Sequence, residues 1–445
     1  MTARTQTGPH GNPGTGPGGS TESGDHGHPG SRPDGRRDGH VVVVGGGAAG
    51  HAAVERLRER GFTGRITVIG EERYRPYNRT PLSKQLLTGE YTVADLALLS
   101  FTDLDAVWRL GTRVVALDLR ERVLTLPGAE RMSYDGLVIA TGVEARVLPG
   151  APLFSDRVHL LRSLDDAHAI DQALGHASQR VVVVGGGFIG CELASTCRAR
   201  GLDVTIVDVS PTLLTRALGT VLGAVAGDLH RDAGVRLHLG TGVRDWEPHS
   251  TGVRLDLEDG ETIDADTVVV GIGTVPRVDW LAGSGLDCTD GVLTTATCHV
   301  IGPDGAPVDG VVAAGDAARW PNRLFDDEPR RVEHWINAIE MGQAAADNLL
   351  TGAASGRPYT PVPRFWSEQH GVKIQSVGMP ALGPRIRIVE GSHTQRRFVA
   401  THTRTVPDGQ LLVGLVSFDD PRRLMAYTPL IGSVVTAAGT APAAA

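Results

Sequence analysis

The sequence predicts an α/β protein with two doubly wound units, each built around a parallel β-sheet, and a smaller α+β unit at the C-terminal end. Three observations carry that expectation. A pattern of strand, glycine-rich turn, helix and strand occurs twice, 140 residues apart. Both copies open on unbroken valine runs, Val41-Val42-Val43-Val44 and Val181-Val182-Val183-Val184, as expected for strands buried on both faces of a parallel sheet. Beyond residue 357 the apolar residues fall in short β-rich runs, at 385–389 and 411–416.

The bulk properties narrow the function classes. A chain of 445 residues suggests two or three domains. No run approaches the roughly 18 apolar residues of a membrane span. A formal charge of −8 argues against a nucleic-acid binder. The four cysteines, Cys191, Cys197, Cys288 and Cys298, form no Cys-x-x-Cys pair, so no metal site is expected. Their scarcity, with no apolar leader run near the N-terminus, fits a cytoplasmic protein. Residues 1–38 are Gly, Pro, Ser, Thr, His and charge, too polar to offset their ordering entropy, and are expected to be a disordered tail. His10, His26 and His28 in it read as inert rather than metal-binding. Residues 437–445 read as a flexible tail.

Order begins at His40. The first valine run enters Gly45-Gly46-Gly47-Ala48-Ala49-Gly50, followed by a helix over 51–60 and a strand over 66–69 that ends at Gly70-Glu71-Glu72. The second run enters Gly185-Gly186-Gly187-Phe188-Ile189-Gly190, then a helix to about residue 200 and a strand over 204–208.

The spacing assigns each residue of these fingerprints a task. Gly45 and Gly185 permit the tight turn, and Gly47 and Gly187 let the backbone approach a pyrophosphate. Gly50 and Gly190 allow helix and strand to pack closely, while the helix start, with Ala49 and Ile189 in its first turn, offers free N–H groups. Glu71 and Asp208 are placed to accept a hydrogen bond from a ribose 2′-hydroxyl. A carboxylate at Asp208 disfavours a 2′-phosphate, so NADH is expected over NADPH. Nearby Arg216 reads as a solvated cation, with phosphate binding as the alternative.

Five further stretches follow in order: Tyr77-Asn78-Arg79-Thr80-Pro81-Leu82-Ser83-Lys84, Leu137-Val138-Ile139-Ala140-Thr141-Gly142, Gly271-Ile272-Gly273-Thr274-Val275-Pro276, Val311-Val312-Ala313-Ala314-Gly315-Asp316-Ala317-Ala318, and the aromatic segments Val332-Glu333-His334-Trp335 and Phe365-Trp366-Ser367-Glu368-Gln369. With the two fingerprints they resemble the FAD-dependent, NAD(P)H-dependent ferredoxin reductases of oxygenase systems, and more distantly apoptosis-inducing factor. The resemblance spans residues 40–432. It implies two Rossmann-like dinucleotide-binding domains, a glutathione-reductase-like two-domain flavoprotein, with a smaller C-terminal α+β domain. The FAD-binding domain is then discontinuous, 39–149 and 274–356, around an NAD-binding domain at 150–273, with 357–436 forming the C-terminal domain.

The resemblance also implies roles. FAD is bound non-covalently and NADH is the substrate. Arg79 contacts the FAD phosphate or ribose, Lys84 lies beside the isoalloxazine, and the Val114 backbone meets the adenine. Thr141 and Gly142 close the FAD domain, Gly273 lies in the return crossover, and Asp316 holds a ribityl hydroxyl. Trp335 and Trp366 lie near the flavin. Glu192 pairs with Lys84; a helix N-terminal acid favoured by the macrodipole is the alternative. Thr80 replaces a family proline, His370 stands where an aromatic commonly follows the Trp-Ser-x-Gln stretch, and 380–391 holds extra Pro and Gly. The latter two departures, both in the C-terminal domain, bear on the electron acceptor.

The implied activity is hydride transfer from NADH to FAD, then single-electron transfer to a small [2Fe–2S] ferredoxin that serves an oxygenase or cytochrome P450, in a monomer or homodimer. Lys84, Glu192 and Trp335 are the candidate catalytic residues. A flavin disulfide reductase needs a reactive cysteine early in the chain, and none precedes Cys191. A reductase of a small organic acceptor and a non-catalytic FAD/NADH-binding protein remain alternatives. Arg330-Arg331 and Arg422-Arg423 are candidate docking cations for an acidic ferredoxin, with solvated surface charge as the alternative reading.

Overall fold

The computed structural model describes residues 38–98, 104–175 and 180–435. The expectations for the N-terminal tail, its histidines included, and for 437–445 fall outside them.

The first valine run forms β1 (His40–Val44), with Val41, Val42, Val43 and Val44 all buried. Through α1 (Ala48–Glu59) it connects to its parallel neighbour β2 (Arg65–Ile69). β2 pairs with β3 (Ala106–Arg109), and β1 pairs on its other side with β4 (Gly136–Ile139). α1 starts three residues before its expected position. The last residues of the fingerprint are already helical, since the His51 N–H donates to the Gly47 carbonyl at 2.9 Å.

The second copy builds a separate sheet. Its elements are β5 (Val158–Leu160), α2 (Leu164–Gly175), β6 (Arg180–Val184), α3 (Phe188–Ala199), β7 (Asp203–Asp208), α4 (Thr215–Asp232), β8 (Arg236–Leu239) and β9 (Thr267–Val270). The strands are parallel in the order β8-β7-β6-β9-β5. The chain then returns to the first sheet with β10 (His299–Ile301) and β11 (Pro307–Ala313), completing the order β10-β11-β4-β1-β2-β3. Outbound and return crossings run side by side, as Val143–Ala145 pairs antiparallel with Thr274–Pro276.

The long helix α5 (Trp335–Thr351) packs on α1 beside the first sheet, sharing one apolar core with it through Met341, Ala345 and Leu349. Arg56 of α1 and Arg60, which caps its C-terminal end, both grip Asp347 of α5, at 2.8 and 2.7 Å. The C-terminal part is an antiparallel sheet of β12 (Arg364–Gln369), β13 (Val372–Gly378), β14 (Arg385–Ser392), β15 (Arg397–Val406) and β16 (Gly409–Phe418), in the order β12-β13-β16-β15-β14. A short helix, α6 (Pro421–Tyr427), follows. The predicted fold class is the one observed. No helix among the described residues is long and apolar enough to cross a membrane.

The α1–α5 contact gives a direct test. A Cβ on Gly342 would stand 2.3 Å from the Ala49 carbonyl oxygen, so Gly342→Ala must separate the helices, at a cost of about 1–3 kcal/mol. Gly175→Ala, where no heavy atom lies within 4 Å of the new Cβ, is expected to stay within about 0.5 kcal/mol of the parent. Denaturant unfolding measures both; equal stabilities would contradict the packing described.

Candidate active site

The carboxyl ends of β1, β4 and β11, the start of α3, and the aromatic segments around Trp335 and Trp366 line a cavity of about 700 Å³. Small-molecule and cofactor sites span roughly 300–1,000 Å³, and the carboxyl edge of a parallel sheet is where such ligands bind.

The two fingerprints have matching geometry. Gly45 and Gly185 sit at φ +118° and +116°, and a Cβ there would stand 2.0 Å from Ala140 O and 2.3 Å from Gly271 O. Gly50 and Gly190 each approach the first glycine of their own motif so closely that a Cβ would stand 2.0 Å from its carbonyl oxygen. Gly47 and Gly187 meet no heavy atom within 4 Å, leaving their backbone open. Gly45, Gly47 and Ala49 line the cavity, whereas from the second motif only Phe188 and Ile189 reach it. Gly50, Gly185, Gly187, Gly190, Gly273 and Asp208 lie outside its lining.

The two ribose candidates are not equivalent. Gly45 donates to Ile69 O and Gly185 to Val207 O, both at 2.8 Å, so Gly70 is the counterpart of Asp208 and Glu71 lies one residue further on. The Asp208 carboxylate accepts from Gly186 N at 2.5 Å and Ser210 N at 2.6 Å, which fixes its direction. Each oxygen keeps a lone pair for a further donor. Glu71 lines the cavity and pairs with Arg277 at 2.6 Å. Arg277 in turn reaches Glu144 at 3.2 Å.

Deeper in, the Arg79 guanidinium donates to Glu72 at 2.5 Å and to Tyr77 Oη at 2.8 Å. Its ring-facing geometry over Tyr77 adds a cation–π contact. Asp316 is paired with Arg162 at 3.1 Å. Burial pushes the Asp316 carboxyl above the usual range, and the Arg162 charge opposes that rise. Thr141 Oγ1 donates to Arg277 O, and Val114, Thr141 and Gly142 line the cavity. Gly273 takes φ +104° at the return crossing. Arg162 and Arg113, both on the cavity wall, were not singled out from the sequence, because neither belongs to a recognisable fingerprint. Arg113 has no carboxylate partner among the described residues.

At the far end Lys84 Nζ lies 2.7 Å from Glu192 Oε2, with 13% and 7% of the two side chains exposed. Glu192 also accepts from Ser83 Oγ at 2.6 Å and from Ser367 Oγ at 2.7 Å. The expected pairing is therefore present. A lone helix-terminal acid does not describe this residue. Phe365 packs between Phe188 and His334, with ring centroids 4.6 and 4.8 Å away, and half-buried Trp335 and Trp366 complete this wall. Ser367 was legible only as part of its aromatic stretch.

No cysteine lines the cavity. Cys191, Cys197 and Cys298 are buried, and burial pushes the Cys197 and Cys298 thiols up to about 12 and the Cys288 thiol to about 11. Such thiols are protonated and inert at neutral pH. Three of the four candidate docking cations are engaged in ion pairs. Arg330 is paired with Asp326, Arg331 with Asp290 and Glu333, and Arg423 with Asp420 and Glu390. Their charge is cancelled locally, and only Arg422 of the four lacks a carboxylate partner among the described residues.

The residues fit a flavin dinucleotide: an open glycine backbone at a helix start, a half-buried aspartate, a cation at one end and an aromatic wall. Comparison with known proteins agrees. Residues 39–342 match the model of the pyridine nucleotide-disulphide oxidoreductases, and 364–444 match the reductase C-terminal model. The chain is 36% identical to a terpredoxin reductase of Pseudomonas sp over 78% of this chain and 84% of that one. It is also 36% identical to the biphenyl dioxygenase system ferredoxin–NAD(+) reductase component of Paraburkholderia xenovorans (strain LB400), over 79% and 83%. Its structure is similar to putidaredoxin reductase in its covalent complex with putidaredoxin, with a TM-score of 0.80 and 30% identity over 88% of this chain and 93% of that one. The chain belongs to the pyridine nucleotide-disulphide oxidoreductase family.

Proposed function

We propose that this protein is an NADH-dependent flavoprotein reductase that transfers hydride from NADH to non-covalently bound FAD and passes single electrons to a [2Fe–2S] ferredoxin serving an oxygenase or cytochrome P450. One observation carries this reading: the cavity of the first fingerprint ends at an ion pair, Lys84–Glu192, whose acid comes from the second. No thiol stands there, so the disulfide chemistry in the family's name has no group to perform it. The relatives named for ferredoxin reduction support the acceptor class.

FAD, when bound, supplies a ring system that accepts a hydride and releases electrons singly. The start of α1, open at Gly47, offers N–H groups and a positive dipole end to the pyrophosphate. Glu71 and Asp208 accept from the ribose hydroxyls of FAD and NADH, and Asp316 from the ribityl chain. Arg79, held by Glu72, presents its guanidinium near the phosphate or ribose, and the Val114 backbone meets the adenine. Thr141, Gly142 and Gly273 shape the crossings beside the cofactor. Lys84 places positive charge where negative charge develops, and Glu192 holds the ammonium there. Trp335 and Trp366 shield that end from water. Residues 39–149 and 274–356 form the FAD part, 150–273 the NADH part and 357–436 the C-terminal part. The scarcity of cysteines supports a cytoplasmic setting.

The direct test is anaerobic NADH addition to the purified yellow protein with a panel of [2Fe–2S] ferredoxins. Reduction of two ferredoxins per NADH is expected. If none is reduced while a small quinone is, the small-acceptor alternative replaces this reading.

NADH is expected to exceed NADPH in kcat/KM. Two like charges at 4 Å repel by about 1 kcal/mol even with water-like screening, a penalty of roughly fivefold. Asp208→Asn is expected to narrow the gap, and a parent enzyme that prefers NADPH would contradict the role of Asp208. Single Cys→Ser variants at 191, 197, 288 and 298 are expected to keep NADH-driven flavin reduction wherever FAD remains bound. Loss of that step in a folded, FAD-loaded variant would show a thiol taking part.

A further inference from the structure

The hydrogen bonds to Glu192 continue well beyond Ser367. Ser367 Oγ lies 3.1 Å from Gln369 Nε2, Gln369 Oε1 lies 3.1 Å from His230 Nε2, and His230 Nδ1 lies 3.0 Å from His370 Nε2. Ser367, Gln369 and His230 are completely buried, so their polar atoms depend on one another. The direction of the chain follows from its end. A carboxylate only accepts, so Ser367 donates its single proton to Glu192 and must itself accept from the Gln369 amide nitrogen. The Gln369 oxygen then faces His230, which must carry its proton on Nε2. His230 Nδ1 is left as an acceptor for the Nε2–H of His370. Each bond points towards Glu192, an arrangement in which successive bonds polarise one another.

Two further observations support the chain. Burial lowers both imidazoles to about 4, aided at His370 by Arg198 and Arg396, so both are neutral near pH 7 as the bonding requires. His370 and Gly371 form a two-residue hairpin turn between β12 and β13, with φ of +48° and +76°. Positive φ is uncommon for a non-glycine residue. His370 is anchored there by its N–H donating to Ser195 Oγ at 2.7 Å, on α3, the helix that carries Glu192.

We propose that Ser367, Gln369, His230 and His370 are positioning residues for the NADH-to-FAD step: their one-way chain orients the Glu192 carboxylate towards Lys84 and makes docking of the C-terminal hairpin a condition of that step. The inference rests on the roles of Lys84 and Glu192 proposed above. His370, a departure from the family pattern, becomes the outer anchor of that chain rather than a residue for the acceptor.

The test is anaerobic stopped-flow reduction of the FAD-loaded enzyme by NADH, with ¹⁵N NMR of the imidazoles in the full chain. Ser367→Ala is expected to slow flavin reduction roughly 10- to 100-fold, as for loss of a hydrogen bond to a charged group, with FAD content unchanged. Ser367→Thr, which keeps the hydroxyl, is expected to restore most of the rate. Gln369→Leu is expected to slow the step and to disturb the His230 tautomer. In the parent enzyme both histidines are expected as neutral Nε2–H tautomers. Parental rates in Ser367→Ala and Gln369→Leu, alongside a slow Glu192→Gln enzyme, would overturn the proposal and leave the pair's role intact. An Nδ1–H tautomer at His230 would overturn it even if Ser367→Ala failed to load FAD. A parental rate in Glu192→Gln would bring down the role of the pair, and this proposal with it.

Discussion

An ion pair of half-buried Lys84 with buried Glu192 sets the terms on which the rest of the molecule is assembled. Taking two charges out of water costs several kcal/mol per ion unless geometry and further hydrogen bonds compensate. The compensation comes from separate stretches of chain: Ser83 and Lys84 follow the first fingerprint, Glu192 is the fifth residue of the second fingerprint's helix, and Ser367 lies on the first strand of the C-terminal sheet. Thr196, one turn after Glu192, also donates to the Ser83 carbonyl at 2.8 Å. A shift of any one stretch removes at least one partner of the buried Glu192 carboxylate. The three parts of the fold are thereby held to a common register around the inner end of the cavity.

Duplication explains why such a junction exists. Two copies of one βαβ unit bring two helix starts, each able to hold a phosphate, into one chain. Here the first copy opens onto the cavity over its whole turn, while the second presents only the first turn of its helix. The paired crossings at 143–145 and 274–276 tie the copies together beside the cavity, and the bridge from Glu71 through Arg277 to Glu144 spans the same place. Hydride transfer between two dinucleotides needs their reactive ends close and oriented. An arrangement in which one helix start borders the other copy's cavity supplies that proximity through the fold itself.

Both sheets and the backbone geometry of the two glycine turns were legible in the sequence, because each follows from local chemistry at fixed spacing. Gly45 and Gly185 need positive φ, and valine runs without polar alternation need two covered faces. The Lys84–Glu192 pair was legible only through resemblance, since 108 residues separate its members. The partners of Asp316 and Arg79, namely Arg162 and Glu72, belong to no spacing rule and required the folded chain. The ion pairs of three of the candidate docking arginines were hidden for the same reason. Doublets such as Arg330-Arg331 look basic in sequence, but the fold sets Asp326, Asp290 and Glu333 against them. Glu71 shows the finer limit, because counting residues from the glycines does not reveal the one-residue offset that places Gly70 opposite Asp208.

Whether Lys84 and Glu192 act as a unit is tested most directly by a double-mutant cycle on NADH-driven flavin reduction. The variants are Lys84→Met, Glu192→Gln and both together, each loaded with FAD and mixed anaerobically with NADH. Losing either member removes the fixed positive charge, or its anchor, from the place where negative charge develops. Each single variant is therefore expected to reduce flavin far more slowly than the parent, and the double variant no more slowly than the worse single one. Additive losses would mean that the two residues act independently, and the junction described here would not be what the site depends on.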